Sequence, residues 1–380
     1  MSKHIILFGS TTHLSQLEFA SLYPQLSLQA LGENLFLFDS DIDPVEMMAT
    51  LGGAIKIFQV LRTCDPDLSE ADYLREATQL LVAIDSEPEF TLTQAGKRQR
   101  QLNNAALKQE LKAMGHKSRY FASALTDSAM VLHHPEAIEL LSVVADQLYF
   151  ARTVAVQNID DWTLRDREKP YADRRKGMLP PKVARMMVNI AIGQHPKHEA
   201  ALLYDPFCGT GTVLLEAAMR GAAVYGSDLD QAAVAGSQAN LAWLAETYQR
   251  LVQQRVFQMD ATNVQPELFK AKVDLLVTEP FLGRQTPRDS ELANVFRGLE
   301  KMYLGALKAF TRILNDGALL VMVFPLVTTD KRQYHLLGLI DKLQAKGYNL
   351  VVDPLVYARE GARVARQIVV LRFDSNLRTK

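Results

Sequence analysis

Cysteine is nearly absent: Cys64 and Cys208 are the two in a chain of 380 residues, and neither has a Cys or His neighbour at metal-ligand spacing. A disulfide framework and a zinc site are thereby excluded as organising features, and no metal is expected. Long apolar runs are missing too. No segment approaches the roughly 18 uncharged residues that a membrane helix needs, and the N-terminus MSKHIILFGSTTHL has neither an extended apolar stretch nor a small-residue cleavage site. The sequence predicts a soluble, cytoplasmic protein with no membrane partner. Charge of one sign is also lacking, with 42 Lys and Arg against 43 Asp and Glu, a balance that by itself argues against a polyanionic partner. What remains is ordinary globular material. A content of 48% apolar and 22% charged residues supports two or three domains with cores of their own and excludes disorder.

The neutral average hides a polarised distribution. From Lys97 to Arg119 there are seven basic residues (Lys97, Arg98, Arg100, Lys108, Lys112, Lys117 and Arg119) and one acid, Glu110. From Arg165 to Arg185 there are eight, including Arg174, Arg175 and Lys176, against Asp166, Glu168 and Asp173. One such cluster is commonly a solvated helix face, but two flanking one linker point to a polyanion. Residues 1–65 read as strand, helix, strand, strand, helix, strand (HIILFG, LSQLEFASLY, LSLQAL, NLFLFD, PVEMMATL, AIKIFQVL), the order of a ferredoxin-like layer. Residues 66–158 read as a second α+β unit with a helix near 73–83, a strand EFTLT, a long basic helix over 98–114, a strand SRYFA and further strands in LLSVVADQLYFARTVAV. Residues 159–178 are polar, Arg-rich and contain Pro170, so they read as a linker.

Over 179–380 the pattern changes to apolar strands alternating with helices, which indicates a mostly parallel, doubly covered sheet with an antiparallel edge at LVVDPLVYA and RQIVVLRF. Its sharpest motif is Asp205-Pro206-Phe207-Cys208-Gly209-Thr210-Gly211-Thr212, between a strand and a helix. Gly209 and Gly211 allow a tight turn and close approach to a ligand, and the helix start offers free N–H donors. The next strand ends in Asp228, suited to ribose hydroxyls, and the third delivers Asp260, suited to an adenine amine. The loop lacks the third glycine of a dinucleotide site, and Asp205 would repel a pyrophosphate while tolerating an ammonium and a sulfonium. These features select S-adenosylmethionine as the cofactor over NAD.

The fourth strand, VDLLV, ends at Thr278-Glu279-Pro280-Phe281. In many amino-methyltransferases this position carries an acid or amide, two prolines and an aromatic. An exocyclic amine conjugated to a base is a poor nucleophile until acceptors take its N–H bonds, while a proline holds the loop and an aromatic stacks on the base. Here Pro280 and Phe281 keep that pattern, and Thr278 and Glu279 replace the first two members. Successive strand side chains alternate in direction, so Thr278 and Glu279 cannot both face a base. The charged Glu279 is the stronger acceptor and the preferred one.

The stretch from Phe150 to Asp160, then Arg165-Asp166, Pro170 and Gly177-Met-Leu-Pro-Pro-Lys-Val-Ala-Arg185 running into the Asp205 loop, resembles the THUMP-domain tRNA guanine-10 N2-methyltransferases of archaea and eukaryotes. LGGAIKIFQVL and the Asn103-Asn104 segment before the basic helix are similar to the same family. The resemblance implies a ferredoxin-like domain, a THUMP domain that recruits tRNA, and a Rossmann-like catalytic domain making N2-methylguanosine. It also implies Leu179, Pro181 and Lys182 against the cofactor, Asp205 to Gly211 at its methionine end and Asp228 at its ribose. Lys97, Arg98, Lys112, Lys117, Arg119, Arg174, Arg175 and Lys176 become the candidate RNA contacts. The family pattern at the catalytic loop is Asp-Pro-Pro-Tyr, from which Thr278-Glu279-Pro280-Phe281 departs. Methylation of another RNA or DNA base, or noncatalytic RNA binding on the same fold, is the alternative. A small activating subunit is left open.

Overall fold

Buried apolar strands set the architecture. The computed structural model describes residues 1–96, 103–121, 128–172, 178–195, 201–359 and 361–377. Two units are distinguished, residues 1–16 with 23–161 and residues 17–22 with 162–380. Among the described residues no helix is long and apolar enough to cross a membrane.

The first unit, which includes only residues 12–16 of α1, runs β1 (Ser2–Phe8), α1 (Thr12–Leu22), β2 (Gln29–Ala30), β3 (Leu35–Ser40), α2 (Pro44–Thr50), β4 (Ala54–Cys64), α3 (Glu70–Ile84), β5 (Glu89–Gly96), α4 (Asn104–Ala113), β6 (Arg119–Tyr120), α5 (Ser128–His133), β7 (Ile138–Val144) and β8 (Leu148–Val156). One eight-stranded sheet in the order β2-β3-β1-β4-β8-β7-β5-β6 contains all eight strands. Within it β1 lies antiparallel to both β3 and β4, which is the ferredoxin-like order expected of the first 65 residues. β4 then pairs antiparallel with β8, and β5 pairs in parallel with β7. Asp43, Ser69 and Asn103 cap α2, α3 and α4 by accepting from early helical N–H groups. That cap starts the basic helix at Asn104, later than the pattern from Arg98 suggests; residues 97–102 lie outside the described residues. The strands read in LSLQAL and SRYFA shrink to two residues each. Across the middle of the sheet, the fully buried Lys56 of β4 donates to both carboxylate oxygens of fully buried Glu139 of β7 at 2.8 Å. Thr93 and Thr153 complete the carboxylate's shell.

The second unit follows α6 (Ile159–Thr163) with α7 (Pro181–Gly193), β9 (Leu202–Asp205), α8 (Thr212–Met219), β10 (Ala223–Asp228), α9 (Gln231–Thr247), β11 (Gln254–Gln258), β12 (Val273–Thr278), α10 (Leu292–Phe310), β13 (Leu314–Thr328), β14 (Gln333–His335), α11 (Gly338–Gln344), β15 (Tyr348–Tyr357) and β16 (Ala365–Phe373). Its main sheet order is β11-β10-β9-β12-β13-β16-β15. The first five of these strands are parallel, and β16 runs antiparallel to both β13 and β15. The order reverses between β9 and β12, so the crevice beyond their carboxyl ends is where a ligand fits. Between the two sheets the chain is helical over residues 159–168, ending in a π-helical turn, Leu164–Glu168. Its Arg165 is buried against Glu216 of α8, and the Trp162 ring lies 4.3 Å from the Arg165 guanidinium carbon. Partners 51 residues apart in sequence give the turn its order, and no local pattern carries that information.

Candidate active site

The end of β9 builds the floor of the crevice. Asp205 is buried, and one of its oxygens accepts from the Phe207 N–H at 3.1 Å and from the Thr278 hydroxyl at 2.6 Å. Burial pushes the Asp205 carboxyl up to about 7, opposed by those two hydrogen bonds and reinforced by Asp228 and Glu279. Gly211 caps the start of α8 at φ +78°, and a Cβ there would sit 2.9 Å from the Ser237 hydroxyl. Among the described residues no side chain caps the helix, so its first N–H groups are open to other partners. From the other side α9 clamps the loop. Ser237 donates to the Gly209 carbonyl at 2.8 Å. Asn240 donates to the carbonyls of Thr210 and Tyr171 and accepts from the Tyr171 N–H, each at 2.8 Å.

Asp228, at the end of β10, accepts from the Gly209 N–H at 2.9 Å and the Asp230 N–H at 3.0 Å, so it organises the glycine loop as well as facing the crevice. Asp260 follows β11 and holds the Thr262 N–H and hydroxyl at 2.8 Å on one oxygen. Beyond β12, Glu279 pairs with Arg366 of β16. Burial raises the Glu279 carboxyl, with Arg366 and Arg359 opposing. Phe281 is 60% exposed, while its carbonyl accepts from the buried Tyr303 hydroxyl at 3.4 Å.

One cavity of about 910 Å³ joins these groups. Of the sequence-selected residues, Leu179, Asp205, Phe207, Gly209, Thr210, Asp228, Asp260, Glu279, Pro280 and Phe281 line it. Four others do not. Thr278 is fully buried with its hydroxyl spent on Asp205, and Gly211 packs toward Ser237. Pro181 starts the buried helix α7, and the Lys182 ammonium lies 5.7 Å from the Trp162 ring centre. Lys112, Lys117 and Arg119 are exposed on the first unit, with Arg119 paired to Glu89 at 2.9 Å. Lys97, Arg98, Arg174, Arg175 and Lys176 lie outside the described residues. Sequence reasoning missed Tyr171, Met178 and the four arginines of the wall, Arg284, Arg359, Arg363 and Arg366. The recurrence of Arg at 359, 363 and 366 between two apolar strands was the available signal.

Comparison with known proteins bears on this geometry. The family model described as RMKL-like, methyltransferase domain, matches residues 171–335. The crystal structure of TrmN from Thermus thermophilus superposes with a TM-score of 0.57, covering 98% of this chain and 99% of that one at 16% identity. The second unit is thus a methyltransferase domain of Rossmann-like fold. Two archaeal sequences narrow the class. The tRNA (guanine(10)-N2)-dimethyltransferase of Methanocaldococcus jannaschii is 32% identical over 173 residues, covering 43% of this chain and 44% of that protein. The probable tRNA (guanine(10)-N2)-dimethyltransferase of Methanothermococcus thermolithotrophicus is 30% identical over 118 residues, which span 31% of this chain and 70% of that protein. The chain belongs to the tRNA (guanine(10)-N2)-dimethyltransferase family. Its match spans about half the length, or less, of the first curated relatives.

Proposed function

We propose that this chain is an S-adenosylmethionine-dependent methyltransferase that forms N2-methylguanosine in tRNA. The carrying observation is the single cavity that joins the Asp205, Asp228 and Asp260 ends of the parallel strands to Glu279 and Phe281. The donor set fits the cofactor. Asp205 is a buried carboxylate whose hydrogen-bond partners are a hydroxyl and one N–H, which suits a cationic ligand group and disfavours a pyrophosphate. Asp228 would hold ribose hydroxyls and Asp260 an adenine amine. When bound, the cofactor supplies an electrophilic methyl group on a sulfonium.

This chain's own residues then prepare the nucleophile. A carboxylate such as Glu279 accepts from the adjacent N1–H and N2–H donors of guanine, whereas adenine offers one donor beside an acceptor there. Arg366 favours the ionised form of Glu279 needed for that role. Phe281 offers an exposed ring for the base to stack on. The arginines of the cavity wall favour a phosphate-bearing substrate. Residues 66–158 serve as the RNA-recruiting THUMP module, behind a ferredoxin-like module at 1–65 and ahead of a linker at 159–178 and the catalytic domain at 179–380. The site of work is the cytoplasm, where tRNA is processed.

The test incubates the purified chain with tRNA transcripts and labelled methyl donor, followed by mass spectrometry of nucleosides. N2-methylguanosine is the expected product, and methylated adenine would overturn the base assignment. Bound S-adenosylhomocysteine without transfer to any tRNA would leave the noncatalytic RNA-binding reading. Phe281→Ala and Glu279→Gln should each lower turnover at least tenfold with cofactor affinity nearly unchanged.

A further inference from the structure

Of the arginines on the cavity wall, Arg359, Arg363 and Arg366 are already engaged within the fold. Arg366 pairs with Glu279, and Arg363 pairs with Asp289 while its Nη1 donates to the Thr328 carbonyl at 3.2 Å. Arg359 donates to the Met178 carbonyl at 2.9 Å. Arg284 differs. Among the described residues this exposed arginine has no hydrogen bond or ion pair, yet it lines the same cavity.

The turn that carries Arg284 is anchored along its length. Pro280 and Pro287 are buried, and the Phe281 carbonyl accepts from the Tyr303 hydroxyl. Gly283 stands at φ +91°, where a Cβ would meet Val295 of α10 at 3.3 Å, so the glycine lets the turn lie close against that helix. A turn held in this way presents its side chains with little ordering left to lose on binding. Two of them are complementary in chemistry: the exposed Phe281 ring and, three residues on, the Arg284 guanidinium. An aromatic face suits a nucleobase, and a guanidinium suits phosphate oxygens, which it bonds in pairs. Asp205, Asp228 and Asp260 on the same cavity repel a phosphate, so the uncompensated guanidinium decides where one is held.

We infer that Arg284 binds a phosphate flanking the target nucleotide while Phe281 stacks on its base, so that the turn takes the guanosine as a nucleotide drawn out of its helical stack. The inference rests on the tRNA-guanosine reading above and adds the contact that holds the nucleotide's backbone. Arg284 touches substrate away from the reacting atoms, so its loss falls on substrate binding more than on the methyl-transfer step.

Saturation-transfer NMR on the full chain loaded with S-adenosylhomocysteine compares guanosine with guanosine 3′,5′-bisphosphate, which carries both flanking phosphates. Wild type should bind the bisphosphate about tenfold more tightly, the worth of one charge-assisted hydrogen bond. Arg284→Gln should bring the bisphosphate down to the affinity of guanosine, Arg284→Lys should restore part of the difference, and Phe281→Ala should weaken both ligands. With tRNA as substrate, Arg284→Gln should raise KM about fivefold or more and change kcat by less than about twofold. Arg288, exposed in the same loop but outside the cavity lining, supplies the control, and Arg288→Gln should keep the preference for the bisphosphate. Equal binding of the two ligands by wild type, or equal loss of both in Arg284→Gln, would overturn the phosphate contact while methyl transfer to tRNA keeps the functional reading. A wild-type chain that binds neither ligand and methylates no tRNA overturns both.

Discussion

Burial of Asp205 has a consequence for stability. Its folded-state pKa near 7 stands well above the ordinary aspartate value, so between pH 4 and 7 the folded chain keeps a proton that the unfolded chain releases. Stability of the ligand-free protein therefore falls as pH rises through that window, by up to about 4 kcal/mol at roughly 1.4 kcal/mol per unit. Denaturant titrations at pH 5 and pH 8 should reveal the drop, and Asp205→Asn should flatten it. A cationic ligand favours the ionised form, so affinity for S-adenosylhomocysteine should weaken as pH falls below 7. At Glu279 the sign of the partner's effect is opposite, because Arg366 holds the pKa down. Arg366→Met should move the acid limb of the pH–rate profile upward; an unmoved limb would mean that Glu279 does not titrate in turnover. Asp205 and Asp228 were legible in sequence because each ends a largely apolar strand, and Asp260 because it closely follows one. The Glu279–Arg366 pair was not, since its members lie 87 residues apart on strands joined only by the fold.

Among the elements, α9 contributes beyond its own packing. Asn240 satisfies two carbonyls and an N–H from two separate segments, so Asn240→Ala should leave them buried without partners and cost about 1–3 kcal/mol, measurable by denaturant unfolding. Gly236, one turn earlier on the helix, leaves room for the Tyr171 ring, whose Cδ1 would sit 2.1 Å from any Cβ there. Gly211→Ala adds a methyl group against Ser237 at a left-handed backbone position. It should cost about 1–2 kcal/mol and weaken cofactor binding. The parallel strands could be read because apolar runs punctuated by Gly and Pro mark β9 to β13. The helical turn before Lys169 could not. Four of its five residues are charged in sequence, and Arg165 is buried because Glu216 and Trp162 supply its partners.

For the whole molecule, charge distribution outweighs charge sum. Lys112, Lys117 and Arg119 are exposed together on the first unit although the chain's net charge is -1. Replacing all three with Gln should weaken tRNA binding and reduce the slope of log affinity against log salt by roughly two, Arg119 counting least because Glu89 already neutralises it. Filter binding across a salt series measures this, and an unchanged slope would remove the surface from the RNA footprint. The single sheet of that unit has its own consequence. β8 lies between β4 and β7, and the Lys56–Glu139 pair reaches across it. A fragment beginning at residue 66 keeps Glu139 without its ammonium and leaves the nine-residue strand β8 with one side unpaired. Such a fragment should seek a substitute strand from another copy of itself, so the residues that complete the sheet also cover an edge that would otherwise invite pairing.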